Sequence, residues 1–182
     1  MIKTCIFLAE GFEEMEAIAI VDVLRRAGIE ITTVSITDSL EVMSAHNVKI
    51  ICDETFNNLE FSEYKMIIFP GGVKGVDNIK AFEPIYKIIN YFYSSDRYVA
   101  AICAAPVILG NAGILENNSF TCYEGFEQFI KNGIYLKQKV VQDKNIITSN
   151  CAGSALEFGF KLVSVLKGKQ ESNAVEKQMI LE

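Results

Sequence analysis

Short apolar runs alternate along the chain with longer stretches in which apolar residues recur every three to four positions. Cys5-Ile6-Phe7-Leu8 has strand length and stops at a Glu10-Gly11 turn. Residues 13–27 then carry helical spacing, closed by Gly28 just past their end. The β-branched run Ile31-Thr32-Thr33-Val34-Ser35-Ile36 predicts a second strand, and residues 41–51 a small hairpin with arms at Val42 and at 48–51. Met66-Ile67-Ile68-Phe69 is a buried strand ended by Pro70-Gly71-Gly72. Residues 84–92 are helical by the spacing of Ile85, Ile88, Ile89 and Phe92. Tyr98-Val99-Ala100-Ala101-Ile102 is a further buried strand, followed at once by Cys103 and a helix over 104–111. Val140-Val141 and Ile146-Ile147-Thr148 supply the last strands. Residues 154–166 form an amphipathic helix with Leu156, Phe160, Val163 and Leu166 on one face, and 169–181 a weaker one.

Apolar strands alternating with helices predict an α/β open sandwich, with a mostly parallel central sheet covered by helices on both faces. No repeat, low-complexity stretch or linker interrupts it, so residues 1–182 read as a single domain. In such sheets functional groups collect at the carboxyl ends of the strands. That rule selects the loops 9–14, 70–73, 103–106 and 149–153.

Composition narrows the function. Half the residues are apolar and 22% are charged, enough to build a core and too few charges for a disordered chain. Seventeen basic against twenty-three acidic residues, with no basic block, argue against nucleic acid as a partner. No apolar run is long enough to span a bilayer, and the N-terminus lacks the features of a signal peptide, so a cytoplasmic protein is expected. Five widely spaced cysteines without a CxxC pair read as thiols. One histidine without clustered ligands predicts no metal site.

Candidate chemistry centres on Cys103. It stands where a buried strand turns into a helix opened by Ala104, Ala105 and Pro106. A helix start favours an anion and can lower a thiol pKa below its free value of about 8.5. Cysteine is also a common small core residue, the reading preferred for Cys5 within its strand. The Gly71-Gly72 turn ends the neighbouring strand and could aim backbone N–H groups at an oxyanion. Glu13, Glu14 and Glu16 begin the first helix, where the dipole favours acidic residues. One inward carboxyl, protonated through burial, could donate a hydrogen bond to a Cys103 thiolate.

The segments 9–17 (Ala-Glu-Gly-Phe-Glu-Glu-Met-Glu-Ala), 21–28 (Val-Asp-Val-Leu-Arg-Arg-Ala-Gly), 70–72 (Pro-Gly-Gly) and 100–106 (Ala-Ala-Ile-Cys-Ala-Ala-Pro) together resemble the signatures of the ThiJ/PfpI superfamily. They are most similar to its branch containing the parkinsonism-associated deglycase. The resemblance runs in order from residue 1 to about 168. It implies a flavodoxin-like sandwich, a homodimer, a reactive Cys103, a protonated Glu16, an oxyanion-supporting turn at Gly71 and Gly72, and an interface arginine at Arg26. The first helix supports the dimer independently, because it carries more apolar surface than one core-facing stripe requires.

Four places depart from the family pattern. The peptidase branch follows its cysteine with a histidine, whereas Ala104 stands here, so peptidase activity is disfavoured. His46 reads as a solvated loop residue. Tyr123 occupies the place where some relatives of the preferred branch carry a histidine, and reads as an aromatic pocket wall. The segment 148–153 replaces a Gly-Pro-Gly-like turn, bringing Asn150 and Cys151 beside the site. Cys151 and Cys122 are either structural thiols or partners that resolve an oxidised Cys103 as a disulfide. The resemblance implies a cofactor-free glyoxalase or deglycase acting on small carbonyl substrates. The alternative is a redox-responsive protective or chaperone-like protein that works through Cys103 oxidation.

Overall fold

The apolar runs become the strands of a seven-stranded sheet in a computed structural model, which describes residues 2–179. In chain order the elements are β1 (Lys3–Leu8), α1 (Glu14–Arg26), β2 (Glu30–Ser35), β3 (Glu41–Met43), β4 (Lys49–Ile51), β5 (Glu54–Thr55) and β6 (Met66–Phe69). They continue with α2 (Val73–Ala81), α3 (Pro84–Ser94), β7 (Tyr98–Ile102), α4 (Pro106–Asn111), β8 (Ser119–Phe120) and β9 (Ile134–Tyr135). The chain closes with β10 (Val140–Asp143), β11 (Ile146–Ser149), α5 (Ala155–Lys167) and α6 (Lys169–Met179). Residues 180 and 181 of the expected last helix lie outside the described residues.

The sheet order is β10-β11-β7-β6-β1-β2-β5, parallel throughout except for the β10–β11 hairpin. Strand residues alternate between two cores as the two-residue period of a strand demands. Cys5, Phe7, Ile67, Phe69, Val99 and Ala101 face α2, α3 and α4, whereas Ile6, Leu8, Met66, Ile68, Ala100 and Ile102 face α1 and α5. The chain leaves β1 for β2 on one side and returns to β6 on the other. The carboxyl ends of β1 and β6 therefore flank the crevice where open α/β sheets place their ligand sites.

Four expectations change. Helix α2 is absent from the sequence reading, because Gly75 lowers helix propensity and only Gly75, Val76 and Ile79 are buried on it. The glycine is required by contact, since a Cβ there would sit 2.7 Å from the Phe12 backbone nitrogen. Helix α4 starts at Pro106 and has six residues, so residues 104 and 105 belong to the turn. The buried side of α5 is built from Phe158, Gly159, Phe160, Leu162 and Val163, while Leu156 is exposed, because the helix is wedged between α1 and α6. Finally, α5 covers much of the second apolar face of α1, leaving Met15 (64% exposed) and Ile18 (44%) uncovered. The hairpin β3–β4 forms as expected, with Val42 opposite Ile50. No described helix is long and apolar enough to cross a membrane.

Candidate active site

Three strand ends meet at the crevice. The loop after β1 starts α1, the Pro70-Gly71-Gly72 turn follows β6, and Cys103 follows β7. Backbone bonds tie the first two together: the Glu13 N–H donates to Gly71 O at 2.9 Å, and the Gly75 N–H to Gly11 O at 3.2 Å. The hairpin is drawn in as well, through Gly11 N–H to Met43 O and Ala45 N–H to Phe12 O, both at 2.8 Å.

Cys103 has φ +65°, a left-handed conformation that costs a non-glycine residue about 1–2 kcal/mol. Three bonds hold it there. Its N–H donates to Ser149 O at 2.9 Å, its carbonyl accepts from Tyr123 N–H at 2.8 Å, and the turn closes through Ala105 N–H to Ile102 O at 3.0 Å. The result is a tight strand-to-helix elbow with the side chain only half-buried. Nothing in the residue types flags Ser149, because its role is carried by a backbone carbonyl at the end of β11.

Glu16 lies on the first turn of α1 and is 0% exposed. Its Oε2 accepts from the Gly71 N–H at 2.6 Å. Its Oε1 is buried without a nitrogen or oxygen donor among the described residues, and the Cys103 thiol faces the carboxyl. Burial raises the Glu16 pKa to about 7, against the lowering effect of the Gly71 and Cys103 hydrogen bonds. Burial also raises the Cys103 thiol, reinforced by the negative charge of Glu16 and its hydrogen bond, while the Ala104 N–H opposes the rise. That direction is opposite to the lowering expected from a helix start. The physical reason is that burial disfavours the thiolate and the Glu16 carboxyl beside the sulfur adds to the effect, whereas α4 begins three residues later and is short. The two groups therefore compete for one proton in a dry site.

The glycines separate into two roles. A Cβ on Gly71 would stand 2.7 Å from both Cys103 Cβ and Glu16 Oε2, so close approach demands glycine. Its N–H is committed to Glu16 and is not free for an oxyanion, which corrects that part of the expectation. Gly72 has φ +87°, and a Cβ there would lie 2.3 Å from Gly11 O. Its N–H has no acceptor among the described residues.

A cleft of about 330 Å³ opens over Cys103, walled by Glu13, His46, Gly72, Val73, Tyr123 and Phe126. Tyr123 is half-exposed and packs edge-on against Phe126 at 6.1 Å, the expected aromatic wall. Ala104 is buried in the elbow. His46 is not merely solvated: its Nδ1 lies 2.9 Å from Glu14 Oε1, at the cleft mouth. Burial opposes ionisation of Glu14, but backbone N–H at the helix start and His46 keep its carboxyl below the usual carboxylate range. Among the described residues, Glu13, Glu14 and His46 are the one group whose ligand atoms converge, within 4.8 Å of one another. The start of α1 favours the two carboxylates there without a cation.

Asn150 and Cys151 line a different, more polar cavity of about 450 Å³ on the far side of Tyr123, and Asn150 Oδ1 accepts from Ser154 Oγ at 2.8 Å. Cys122 lines that cavity too but is buried, with its thiol pushed up to about 12 by burial. Arg26 stands ten residues from Glu16 on α1, roughly 15 Å along the helix, and pairs with Asp22 at 2.7 Å. It is outside the site.

Comparison with known proteins places the chain in a family. The DJ-1/PfpI family model matches residues 2–165. Protein dj-1beta of Drosophila melanogaster is 33% identical over 178 residues, covering 97% of this chain and 95% of that protein. Its crystal structure superposes with a TM-score of 0.94 at 31% identity, covering 98% and 97% of the two chains. Protein DJ-1 homolog B of Arabidopsis thaliana is 32% identical over 98% of this chain, which spans 41% of that relative's length. The glutathione-independent glyoxalase DJ-1 of Schizosaccharomyces pombe is 28% identical over 98% of both. With the family model covering most of its length and full-length relatives sharing its sheet, the chain belongs to the DJ-1/PfpI family.

Proposed function

We propose that the protein is a cofactor-free glyoxalase- or deglycase-type enzyme acting on small 2-oxoaldehydes or their early glycation adducts. The observation that carries this reading is the buried Glu16 carboxyl, with one oxygen fixed by Gly71 and its other face toward the Cys103 sulfur. A buried acid with a pKa of about 7 is poised to take and return protons near neutrality. The name of the Schizosaccharomyces pombe relative supports the choice of reaction.

The chemistry follows from that pair. Ionised Glu16 takes the thiol proton as the Cys103 sulfur bonds to the aldehyde carbon, and the carbonyl oxygen becomes an oxyanion. Gly72 lines the cleft, and its N–H, without an acceptor among the described residues, is the donor proposed to meet that charge. Glu16 returns its proton to the oxyanion, giving a hemithioacetal. As a carboxylate it then removes the hydrogen on that carbon, and the electron pair moves toward the adjacent carbonyl. Return of the proton to the neighbouring carbon, with the hydroxyl proton of the first carbon passing to the oxygen of the second, leaves a 2-hydroxy thioester on Cys103. Water cleaves the thioester, releasing the 2-hydroxy acid and restoring the thiol. No external oxidant is needed, since one carbon is oxidised as its neighbour is reduced.

The test is lactate formation from methylglyoxal by the wild type and Cys103→Ser, with buffer amines controlled. Turnover by the wild type alone supports the enzyme. Equal rates for both retire it and leave the redox alternative for Cys103. Self-association through Met15 and Ile18 on the outer face of α1 is a second part of the proposal. It is checked by sedimentation of the wild type against Ile18→Glu, which should shift the protein to monomer.

A further inference from the structure

We propose that the Cys103 cleft continues into an apolar subsite for the side chain of the carbonyl compound, so that alkyl or aryl 2-oxoaldehydes larger than methylglyoxal are preferred. This rests on the reading of Cys103 as the group that attacks the carbonyl. The cleft over Cys103 and a second cavity of about 420 Å³ share Val73 and Phe126 in their walls. Beyond that shared boundary the second cavity is walled by Val76, Val107 and Phe129, with Asp77, Lys80 and Asn111 completing a lining that is predominantly apolar. Together the two spaces fall in the size range of small-molecule sites.

The fold explains the continuity. Val73 and Val76 lie on the first turn of α2, directly after Gly72, and Val107 lies on the first turn of α4, four residues after Cys103. Both helices start at the site and run away from it, so the groove between them leads outward from the sulfur. The segment carrying Phe126 and Phe129, whose rings lie 5.9 Å apart, roofs that groove. Val73 is 60% exposed and Phe129 is 58% exposed, so hydrocarbon placed between them removes apolar surface of both from water. The other branch from the cleft, past Tyr123, is lined by Thr121, Glu124, Lys137 and Asn150 alongside Cys122, Tyr135 and Cys151, a more polar wall for a hydrocarbon chain. A small substrate spans only the Cys103 cleft. A longer one finds the more apolar direction between α2 and α4.

Selectivity in labelling reads the subsite without relying on turnover. Cys103 is alkylated with iodoacetamide and with N-hexyl iodoacetamide, the sulfur displacing iodide in each case, and the rate ratio is compared with that of free cysteine. The ratio for the wild type is expected to exceed that of free cysteine by roughly tenfold. Phe129→Ala, which removes a wall, and Asn111→Trp, which fills the groove from an exposed rim position, should each lower it by at least about threefold. A wild-type ratio equal to that of free cysteine, or a ratio untouched by both variants, overturns the subsite. In parallel, kcat/KM is measured for 2-oxooctanal and methylglyoxal. Methylglyoxal turnover without labelling selectivity overturns the subsite and leaves the catalytic reading standing. Selectivity without turnover of either aldehyde supports the subsite and overturns the catalytic reading.

Discussion

Replacing Glu16 with glutamine should make the protein more stable at alkaline pH, and less so as the pH falls. In the folded chain burial holds the Glu16 pKa near 7, against about 4.5 for an exposed carboxyl. Between these values the native state keeps a proton that the unfolded chain releases, so stability falls as pH rises through the window. A difference of about 2.5 pH units corresponds to roughly 3 kcal/mol, fully lost once the pH exceeds about 7. Glutamine has no charge to bury, and its amide oxygen can still accept the Gly71 N–H that now reaches Oε2 at 2.6 Å. Exchanging a charged acceptor for a neutral one gives back up to about 1 kcal/mol, leaving a net gain of about 2 kcal/mol at pH 8. For a chain of this length that is a rise of about 4–8 °C in melting temperature. Urea unfolding of both proteins from pH 4.5 to pH 8 measures it, because titrating groups that do not interact with Glu16 cancel in the difference. The two should be nearly equal at pH 4.5 and diverge above pH 5. A constant difference across the range, or a less stable variant at pH 8, would show that Glu16 is not a buried acid with a raised pKa.

Other substitutions isolate single features. Gly71→Ala drives a Cβ to within 2.7 Å of Cys103 Cβ and Glu16 Oε2 and should destabilise the fold by about 1–3 kcal/mol, read by urea unfolding. An unchanged midpoint would mean that the turn yields freely. At Cys103, with φ +65°, Cys103→Gly should be more stable than Cys103→Ala by about 1 kcal/mol, since only glycine relieves the left-handed strain. Equal midpoints would remove strain from the picture. Arg26→Ala should change stability by less than about 0.5 kcal/mol and leave turnover within twofold, because its pair with Asp22 is exposed and remote from Cys103. A large loss of turnover would place Arg26 in the machinery after all.

Much of the architecture is legible in the order of apolar runs. Met66-Ile67-Ile68-Phe69 and Tyr98-Val99-Ala100-Ala101-Ile102 feed both cores, so they read as continuous apolar runs and locate Gly71 and Cys103 at strand ends. Helix α2 is hidden because its glycine serves a contact with Phe12 that is distant in sequence. His46 beside Glu14 is hidden for a related reason: the hairpin brings the histidine to the cleft through backbone bonds from Gly11 and Phe12, which no residue pattern announces. Helix position alone gives the wrong direction for the Cys103 pKa, because burial of the sulfur, reinforced by the adjacent Glu16 carboxyl, outweighs a dipole whose helix begins three residues away. Asn150 and Cys151 follow Ser149, which does hold Cys103, yet they open onto the other side of Tyr123.

The proposed chemistry stands on Glu16 moving the proton between the two carbons of the bound substrate, and lactate release by Glu16→Gln measures that step. A positioned acid–base group contributes roughly 10²–10⁴-fold, so the variant should lose at least about a hundredfold in kcat. Intact-protein mass spectrometry should still find methylglyoxal attached at Cys103. Lactate released by Glu16→Gln at the wild-type rate would contradict the mechanism outright.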